Sequence, residues 1–462
     1  MMMRFKQLTL LCGDFLALWA GLYLAAATRE FNLTPNNWLA LSESFLPLFG
    51  LAVVILFIIG LYDVGRAKNS WGFFESISLT AAIWLLLGVI FFYINPNATL
   101  APKTILALGT IFCFGLIALW RYIYNRFLSA SILRTRVLFI GLTPEVSELV
   151  ALFQREPARG FVVLGCIAAN LQTTGLPGAA NLNVATAATL EEILKLSPRV
   201  FPDIIVIAPG EDSALLRQEL YALLFNQISV LDLAEFYERI FRRVPPFTFS
   251  ESWFLTHLNE QANKIYDRAR LLFDYLVAAL MAIIFLATWP LLALLIKITS
   301  SGTILFKQIR VGRGQTNFTM YKYRTMRSLA ADGSAEVSGP EFAKNNDTRV
   351  TKFGKFLRQT RLDELPQCLN ILRGEMGLIG PRPERPEFVE ALKREMPFYS
   401  LRHLIKPGLT GWAQLQQSYY GNISENLKKL EYDLYYIKNR GPWLDLAIIL
   451  RTFNILFRMI GR

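Results

Sequence analysis

Histidine is nearly missing from this chain, with two in 462 residues, and cysteine is scarce, with four. Cys12, Cys113, Cys166 and Cys368 are scattered, with no CxxC and no paired spacing. That inventory argues against a zinc site and against a disulfide framework. Chemistry run by carboxylates, basic side chains and a hard cation needs neither residue. Acidic residues are also the minority: 36 Asp plus Glu face 48 Lys plus Arg, for a formal net charge of +12. Excess positive charge suits nucleic acid, an anionic lipid surface or a phosphate-rich substrate about equally. The apolar share of 53% favours the lipid surface and no nucleic-acid partner, because soluble domains rarely carry so much. No small-residue cleavage site follows the first apolar run, so no removable signal peptide is expected.

What the chain does have is long apolar runs. Four crowd into the first quarter, at Leu8–Ala27, Phe45–Tyr62, Ile77–Ile94 and Ile105–Ile123. Each approaches the ~20 residues that cross a bilayer core. Their flanks alternate: Arg4 and Lys6 precede the first, Arg66 and Lys68 separate the second from the third, and Arg121, Arg126, Arg134 and Arg136 follow the fourth. The other two turns hold one basic residue each, Arg29 and Lys103. Positive-inside counting puts the N-terminus and everything after Arg126 in the cytoplasm. A bundle of four transmembrane helices over 1–130 is therefore expected. Asp14 inside the first run is costly unless it faces the bundle, and no partner for it can be named from sequence.

From about Arg136 the pattern changes to alternating strands and helices. Val137–Gly141, Phe161–Ile167, Asp203–Ala208 and Ser229–Leu233 read as strands, and Glu145–Arg155, Glu191–Leu196 and Ser213–Asn226 as helices. Continuous apolar strands in such alternation predict a parallel, doubly wound sheet, a Rossmann-like cytoplasmic domain over 131–250. Its first turn, Gly141-Leu-Thr-Pro-Glu-Val, lacks the second and third glycines of a dinucleotide fingerprint. The domain is expected to be a structural or regulatory spacer, with nucleotide binding as the less favoured alternative.

A fifth apolar segment, Leu271–Ile296, has basic flanks on both sides: Lys264, Arg268 and Arg270 before it, Lys297 after it. Lys297 to Arg327 holds seven Lys or Arg and no acidic residue. A spanning helix would put that stretch outside, against the positive-inside rule. Pro290 interrupts the helical hydrogen-bond ladder. The economical expectation is a re-entrant hairpin over 271–298 that breaks at Trp289-Pro290 and returns to the same face; a kinked transmembrane helix stays open.

The chemistry-bearing residues follow, in an α/β-mixed domain over 264–462. Lys322 and Arg324 alternate with tyrosines in Tyr321-Lys-Tyr-Arg, which on a strand aims both cations one way, as a phosphate seat or as a solvated basic edge. In Phe356-Leu-Arg-Gln-Thr-Arg-Leu-Asp-Glu-Leu-Pro-Gln, Pro366 suits a first helical turn and Gly374 a C-terminal cap. Asp363 and Glu364 thus open a helix. Neighbouring residues diverge there, so they cannot share one proton face to face, but can divide labour, one as nucleophile and one on a cation. Ordinary acidic capping explains the same pair. Gly380-Pro-Arg-Pro-Glu-Arg385 sets Arg382 and Arg385 in a rigid turn suited to phosphate. His403 is a minor candidate. The C-terminal runs Glu425–Asn439 and Trp443–Arg458 are helical, either interfacial or core.

Five stretches taken together resemble the bacterial sugar transferase family, the monotopic phosphoglycosyl transferases that act on polyprenyl phosphate. They are Phe306-Lys-Gln-Ile-Arg-Val-Gly, Tyr321-Lys-Tyr-Arg-Thr-Met, Leu362-Asp-Glu-Leu-Pro-Gln, Gly380-Pro-Arg-Pro and Gly408-Leu-Thr-Gly-Trp-Ala-Gln. The four-span bundle and spacer resemble the large, exopolysaccharide-type branch. The resemblance implies a covalent, ping-pong reaction. Asp363 attacks the sugar-linked phosphate of a UDP-sugar and releases UMP; undecaprenyl phosphate then takes the phosphosugar. It implies Mg²⁺ on Glu364, a phosphate contact for Arg358, and helper roles for Lys322, Arg324 and Arg382. Two departures stand out: Trp289-Pro290 where the family often has Ser-Pro, and Leu415-Gln-Gln-Ser-Tyr-Tyr-Gly after Ala413-Gln414, which leaves the sugar open. A homodimer through the spacer or the bundle is compatible with this reading. The competing hypotheses are a non-catalytic membrane scaffold with a nucleotide-sensing α/β domain, and an NAD-dependent nucleotide-sugar modifier.

Overall fold

The computed structural model describes residues 2–29, 34–62, 71–94, 103–128, 134–167, 186–187, 202–208, 228–246, 258, 264–327, 349–416 and 423–457. It divides into two compact units, Met1–Leu233 and Ala234–Arg462.

The first unit opens with helices α1 (Met2–Thr28), α2 (Pro35–Ile59), α3 (Trp71–Ile94) and α4 (Lys103–Leu128). Among the described residues five helices are long and apolar enough to cross a membrane, these four and the Ile265–Thr299 helix of the second unit. This is a membrane protein. In lipid, apolar burial adds little drive for helix association, so packing and polar contacts must hold the helices. Leu18, Leu22, Phe45, Phe49, Trp84, Cys113 and Ile117 are buried between them. The Trp84 indole N–H donates to the Leu48 carbonyl at 2.7 Å. Asp14 finds the partner that sequence could not name. Arg121 grips it through Nε at 2.9 Å and Nη2 at 2.5 Å, and the Tyr62 hydroxyl donates to it at 2.7 Å. Arg121 Nη1 donates to the Leu61 carbonyl at 2.6 Å, so α1, the end of α2 and α4 meet at one closed polar knot.

The sheet that follows contains β1 (Thr135–Ile140), then α5 (Pro144–Arg155), β2 (Phe161–Ile167), β3 (Thr186–Ala187), β4 (Ile204–Ile207) and β5 (Ser229–Asp232). All its pairings are parallel, in the order β3-β2-β1-β4-β5. Val137, Leu138, Phe139 and Ile140 are all buried, as a central strand covered on both faces requires. Thr143 caps α5 by accepting from the Val146 amide. The helices expected at Glu191–Leu196 and Ser213–Asn226 lie outside the described residues.

The second unit begins earlier than the expected break near residue 250. Helix α6 (Leu233–Phe241), apart from its first residue, and residues 242–246 after it belong with the C-terminal domain. Glu238 accepts from Lys438 at 2.7 Å and Asn439 at 2.6 Å, Arg243 pairs with Glu431 at 3.1 Å, and the Trp412 indole donates to the Arg242 carbonyl.

Helix α7 (Lys264–Thr299) runs 36 residues with Pro290 inside it. Helical backbone continues through Trp289-Pro290, so the expected break there is not an interruption of the helix. Asp274, Ala278, Phe285, Leu292 and Ile296 form a buried stripe, while Leu272, Leu276, Leu280, Ile283, Leu286, Leu291, Leu294 and Ile298 are exposed. After it come the antiparallel hairpin β6 (Leu305–Val311) and β7 (Asn317–Tyr323), and helix α8 (Lys352–Gln359). A 3₁₀ turn, Leu362–Gln367, leads into α9 (Cys368–Leu372). Strand β8 (Gly377–Ile379) is followed by α10 (Pro386–Glu395), a further 3₁₀ segment (Pro397–Leu404) and β9 (Gly408–Thr410), which pairs parallel with β8. The chain ends in α11 (Trp412–Gln416), α12 (Ile423–Asn439) and α13 (Pro442–Phe457). On α13, Ile448 enters the core while Trp443, Leu446 and Phe453 are exposed, so one helix has both a packed and an open apolar face.

Candidate active site

Asp363 and Glu364 occupy the first turn of the 3₁₀ segment Leu362–Gln367, and both are buried. Two local devices put them there. Ahead of them, Arg361 adopts φ 57, a left-handed conformation uncommon outside glycine, which turns the chain sharply after α8. Behind them, α9 stops in a Schellman arrangement: Gly374 N–H donates to the Ile371 carbonyl at 2.9 Å and Glu375 N–H to the Asn370 carbonyl at 3.0 Å. Gly374 has φ 77, the cap expected of it.

Glu364 lies in a ring of cations. Lys322 Nζ is 3.2 Å and Arg382 Nη2 3.4 Å from its Oε1, and Arg361 Nη1 is 3.4 Å from its Oε2. Burial, the largest single influence, pushes the Glu364 carboxyl up, but Lys322, Arg382 and Arg361 together outweigh it and hold it well below the usual range. Asp363 behaves oppositely. Burial and then the Glu364 charge push it up, against Lys322, Arg358 and Arg361, so it stays above the usual carboxylate range. Burial also draws Lys322 down, while Glu364 holds it up. Adjacent carboxylates driven apart in this way suit separate roles.

The structure sorts the remaining candidates. Arg358 donates through Nε to Thr325 Oγ1 at 2.9 Å, and its charge is felt at Asp363. Strand β7 ends at Tyr323, so Arg324 leaves the pleat and does not share the aim of Lys322. Arg324 Nη2 donates to the Ser300 carbonyl at 2.6 Å just past the C-terminus of α7, where a cation also complements the helix dipole. Its Nε and Nη1 are buried with no hydrogen-bond partner among the described residues. Arg385 pairs with Glu387 at 3.4 Å and lies over the Phe388 ring. His403 is buried and held down to about 3, by burial first and then by Arg402 and Lys393, which keeps it neutral.

Sequence reasoning missed two features. Arg361 touches Glu364, and only its place directly before Leu362-Asp-Glu hinted at it. Beneath the Arg382 turn lies a buried ionic network. The Arg402 guanidinium, 2% exposed, pairs with Asp433 at 2.9 Å and donates to the Arg382 carbonyl at 2.8 Å. Arg310 Nη1 donates to the Pro383 carbonyl at 3.0 Å, and Lys429 pairs with Glu384. The backbone that presents Arg382 is thereby held from inside the domain.

A cation site is testable on the donor set. Among the described residues no three His, Cys, Asp or Glu side chains form a ready-made cage. Mg²⁺ does not need one, since one or two carboxylates, substrate phosphates and water complete its shell. The Asp363-Glu364 pair fits that habit.

The model of the family described as bacterial sugar transferase matches residues 265–459. A Caulobacter vibrioides protein named UDP-glucose:undecaprenyl-phosphate glucose-1-phosphate transferase is 38% identical over 190 residues, 40% of this chain and 68% of that one. The chain belongs to the bacterial sugar transferase family. A Klebsiella pneumoniae protein with the same name is 27% identical over 448 residues, 95% of this transferase and 93% of the relative. A UDP-N-acetylgalactosamine-undecaprenyl-phosphate N-acetylgalactosaminephosphotransferase of Aeromonas hydrophila is 42% identical over 188 residues, 41% of this transferase and 43% of the relative. That last match thus spans less than half of the Aeromonas protein.

Proposed function

We propose that the protein transfers a sugar-1-phosphate from a UDP-sugar to undecaprenyl phosphate, releasing UMP, as the first step of an exopolysaccharide or other surface glycan. The observation that carries this reading is the pairing of a buried, raised Asp363 with a Glu364 ringed by Lys322, Arg382 and Arg361. Phosphoryl transfer asks for positioning and for cancellation of charge on the phosphate oxygens. In the first half-reaction an Asp363 oxygen attacks the sugar-linked phosphorus and the P–O bond to UMP breaks. In the second, a phosphate oxygen of the polyprenyl acceptor attacks that phosphorus and Asp363 leaves as carboxylate, giving polyprenyl diphosphate sugar. Lys322, Arg382, Arg361 and Arg358 hold the phosphates. Glu364 would hold Mg²⁺, which supplies further charge neutralisation at the phosphates.

The topology proposed with it has four transmembrane helices, α1 to α4, and a Rossmann-like spacer, which the strand order of the parallel sheet supports. The catalytic domain lies on the cytoplasmic face of the inner membrane. Helix α7 returns to the face it entered. In support, one end is tied by Tyr266 to Asp445 at 2.6 Å and by Asp274 to the Leu378 amide, and the other by Ser300 to Arg324, all within one unit. A straight helix of this length would measure about 54 Å and would put those ends on opposite sides of a bilayer.

A panel of UDP-sugars, assayed for UMP release with and without undecaprenyl phosphate, tests the activity and selects between glucose and N-acetylgalactosamine donors. No UMP from any of them would end the proposal.

A further inference from the structure

Helix α7 docks on its own unit through two separate sets of contacts. Towards its N-terminus, Asp274 Oδ1 accepts from the Leu378 amide at 3.1 Å, and Arg270 donates to the Ile379 carbonyl. Leu378 and Ile379 end β8, and Gly380-Pro-Arg382 follows at once. Ala278 shares a core with Leu378 and Ile379. Beyond Met281, which touches both cores, the partners change: Phe285 and Leu292, with Trp289 against them, pack with Tyr323, Leu357 and Cys368. Trp289 stacks on Tyr323 with ring centroids 5.8 Å apart and planes at 29°. Tyr323 and Lys322 are neighbours on β7, so they face opposite sides of the strand, one to the helix and one to Glu364.

The two cations on Glu364 Oε1 are therefore carried by segments seated on different halves of one helix. Asp274 is buried where the helix turns apolar, one turn beyond Arg270, a costly placement that its hydrogen bond to the Leu378 amide offsets. We propose that α7 is the frame that sets the spacing of Lys322 and Arg382 about Glu364. Asp274 is the positioning residue for Arg382, and Trp289 is the positioning residue for Lys322. This rests on the reading of Asp363 and Glu364 as the reacting pair. A misplacement of about 1 Å at such a site costs on the order of 10²-fold in rate, so small movements of the two segments should be legible in turnover.

The test is a set of double-mutant cycles on the full-length protein in lipid nanodiscs, reading UMP release and transfer to undecaprenyl phosphate. Asp274→Leu should lower kcat by about 10–100-fold in the wild-type and Lys322→Met backgrounds, and by less than about threefold on top of Arg382→Met. Trp289→Leu should show the converse pattern, losing its effect only on Lys322→Met. Asp274→Asn keeps the oxygen that accepts from the Leu378 amide and should recover most of the activity, as should Trp289→Phe, which keeps a ring on Tyr323. These two milder variants carry the same cycles should the leucine variants fail to insert. Equal losses in every background, with unchanged melting, would overturn the frame and leave Asp274 and Trp289 as general packing residues. A wild-type protein that releases no UMP would instead overturn the catalytic reading itself.

Discussion

Lys322 Nζ lies 3.2 Å from Glu364 Oε1, a contact made across 42 residues of chain. It reaches past Glu364, because the Lys322 charge also pulls Asp363 down. Lys322→Met should therefore do two things at once. Turnover should drop, and the acid limb of kcat should move to higher pH, because Asp363 loses a cation that favoured its ionised form. A pH profile of both proteins on the same donor checks this; an unmoved limb would disconnect Lys322 from Asp363.

In the proposed reaction Asp363 attacks as carboxylate, so Asp363→Asn should cut transfer by at least about 10³-fold. Its effect on stability should be favourable. A carboxyl raised above its unfolded value, about 3.9, binds more protons in the folded state, so folding stability declines as pH rises through the raised value. Asn carries no such charge. The variant should melt higher than wild type at pH 7, with the gain shrinking towards pH 4. Glu364 has the opposite sign: its contribution is present above about 4.3 and fades as pH falls towards its depressed value, so Glu364→Gln should melt lower at pH 7.

Chelation by EDTA should stop UMP release, and Mg²⁺ should restore it. Glu364→Gln should raise the Mg²⁺ concentration needed for half-maximal rate. Full activity in EDTA would remove the ion from the scheme.

In the bundle, Asp14→Ala strips the Arg121 guanidinium of its buried partner, which costs about 3–5 kcal/mol in comparable pairs. The detergent-solubilised protein should aggregate at markedly lower temperature. Replacing both Asp14 and Arg121 with leucine should recover much of that loss, because no uncompensated charge remains.

Gly354→Ala tests how α8 is seated. A Cβ at this position would lie 2.0 Å from the Thr325 carbonyl oxygen, a backbone atom with no rotamer to escape through. The helix must lift, at about 1–3 kcal/mol, and Arg358, which hydrogen-bonds Thr325 one turn later, lifts with it. Lower melting together with lower turnover is the expected signature.

What the sequence disclosed follows a physical rule. Leu362-Asp-Glu-Leu-Pro-Gln and Gly380-Pro-Arg-Pro are contiguous, so the acidic pair and Arg382 were legible from local pattern. The membrane helices were legible from length and hydropathy alone. Arg361 was not, because a left-handed arginine leaves no trace in composition. Arg324 was assigned the same aim as Lys322 on strand periodicity, which fails where β7 stops one residue earlier. The partner of Asp14 stands 107 positions away, and the Glu384–Lys429 and Arg402–Asp433 pairs join segments with no shared period. Contacts of that kind are fixed by the fold, and only three dimensions reveal them.

Among the described residues, the charges of Lys322, Arg358, Arg361 and Arg382 all act on the Asp363–Glu364 pair. A diphosphate is drawn to such a cluster of cations, whereas an uncharged sugar is not. Selection for the nucleotide's anionic bridge is thus built in before any sugar hydroxyl is read, and free pyrophosphate should compete with the donor for the same seat.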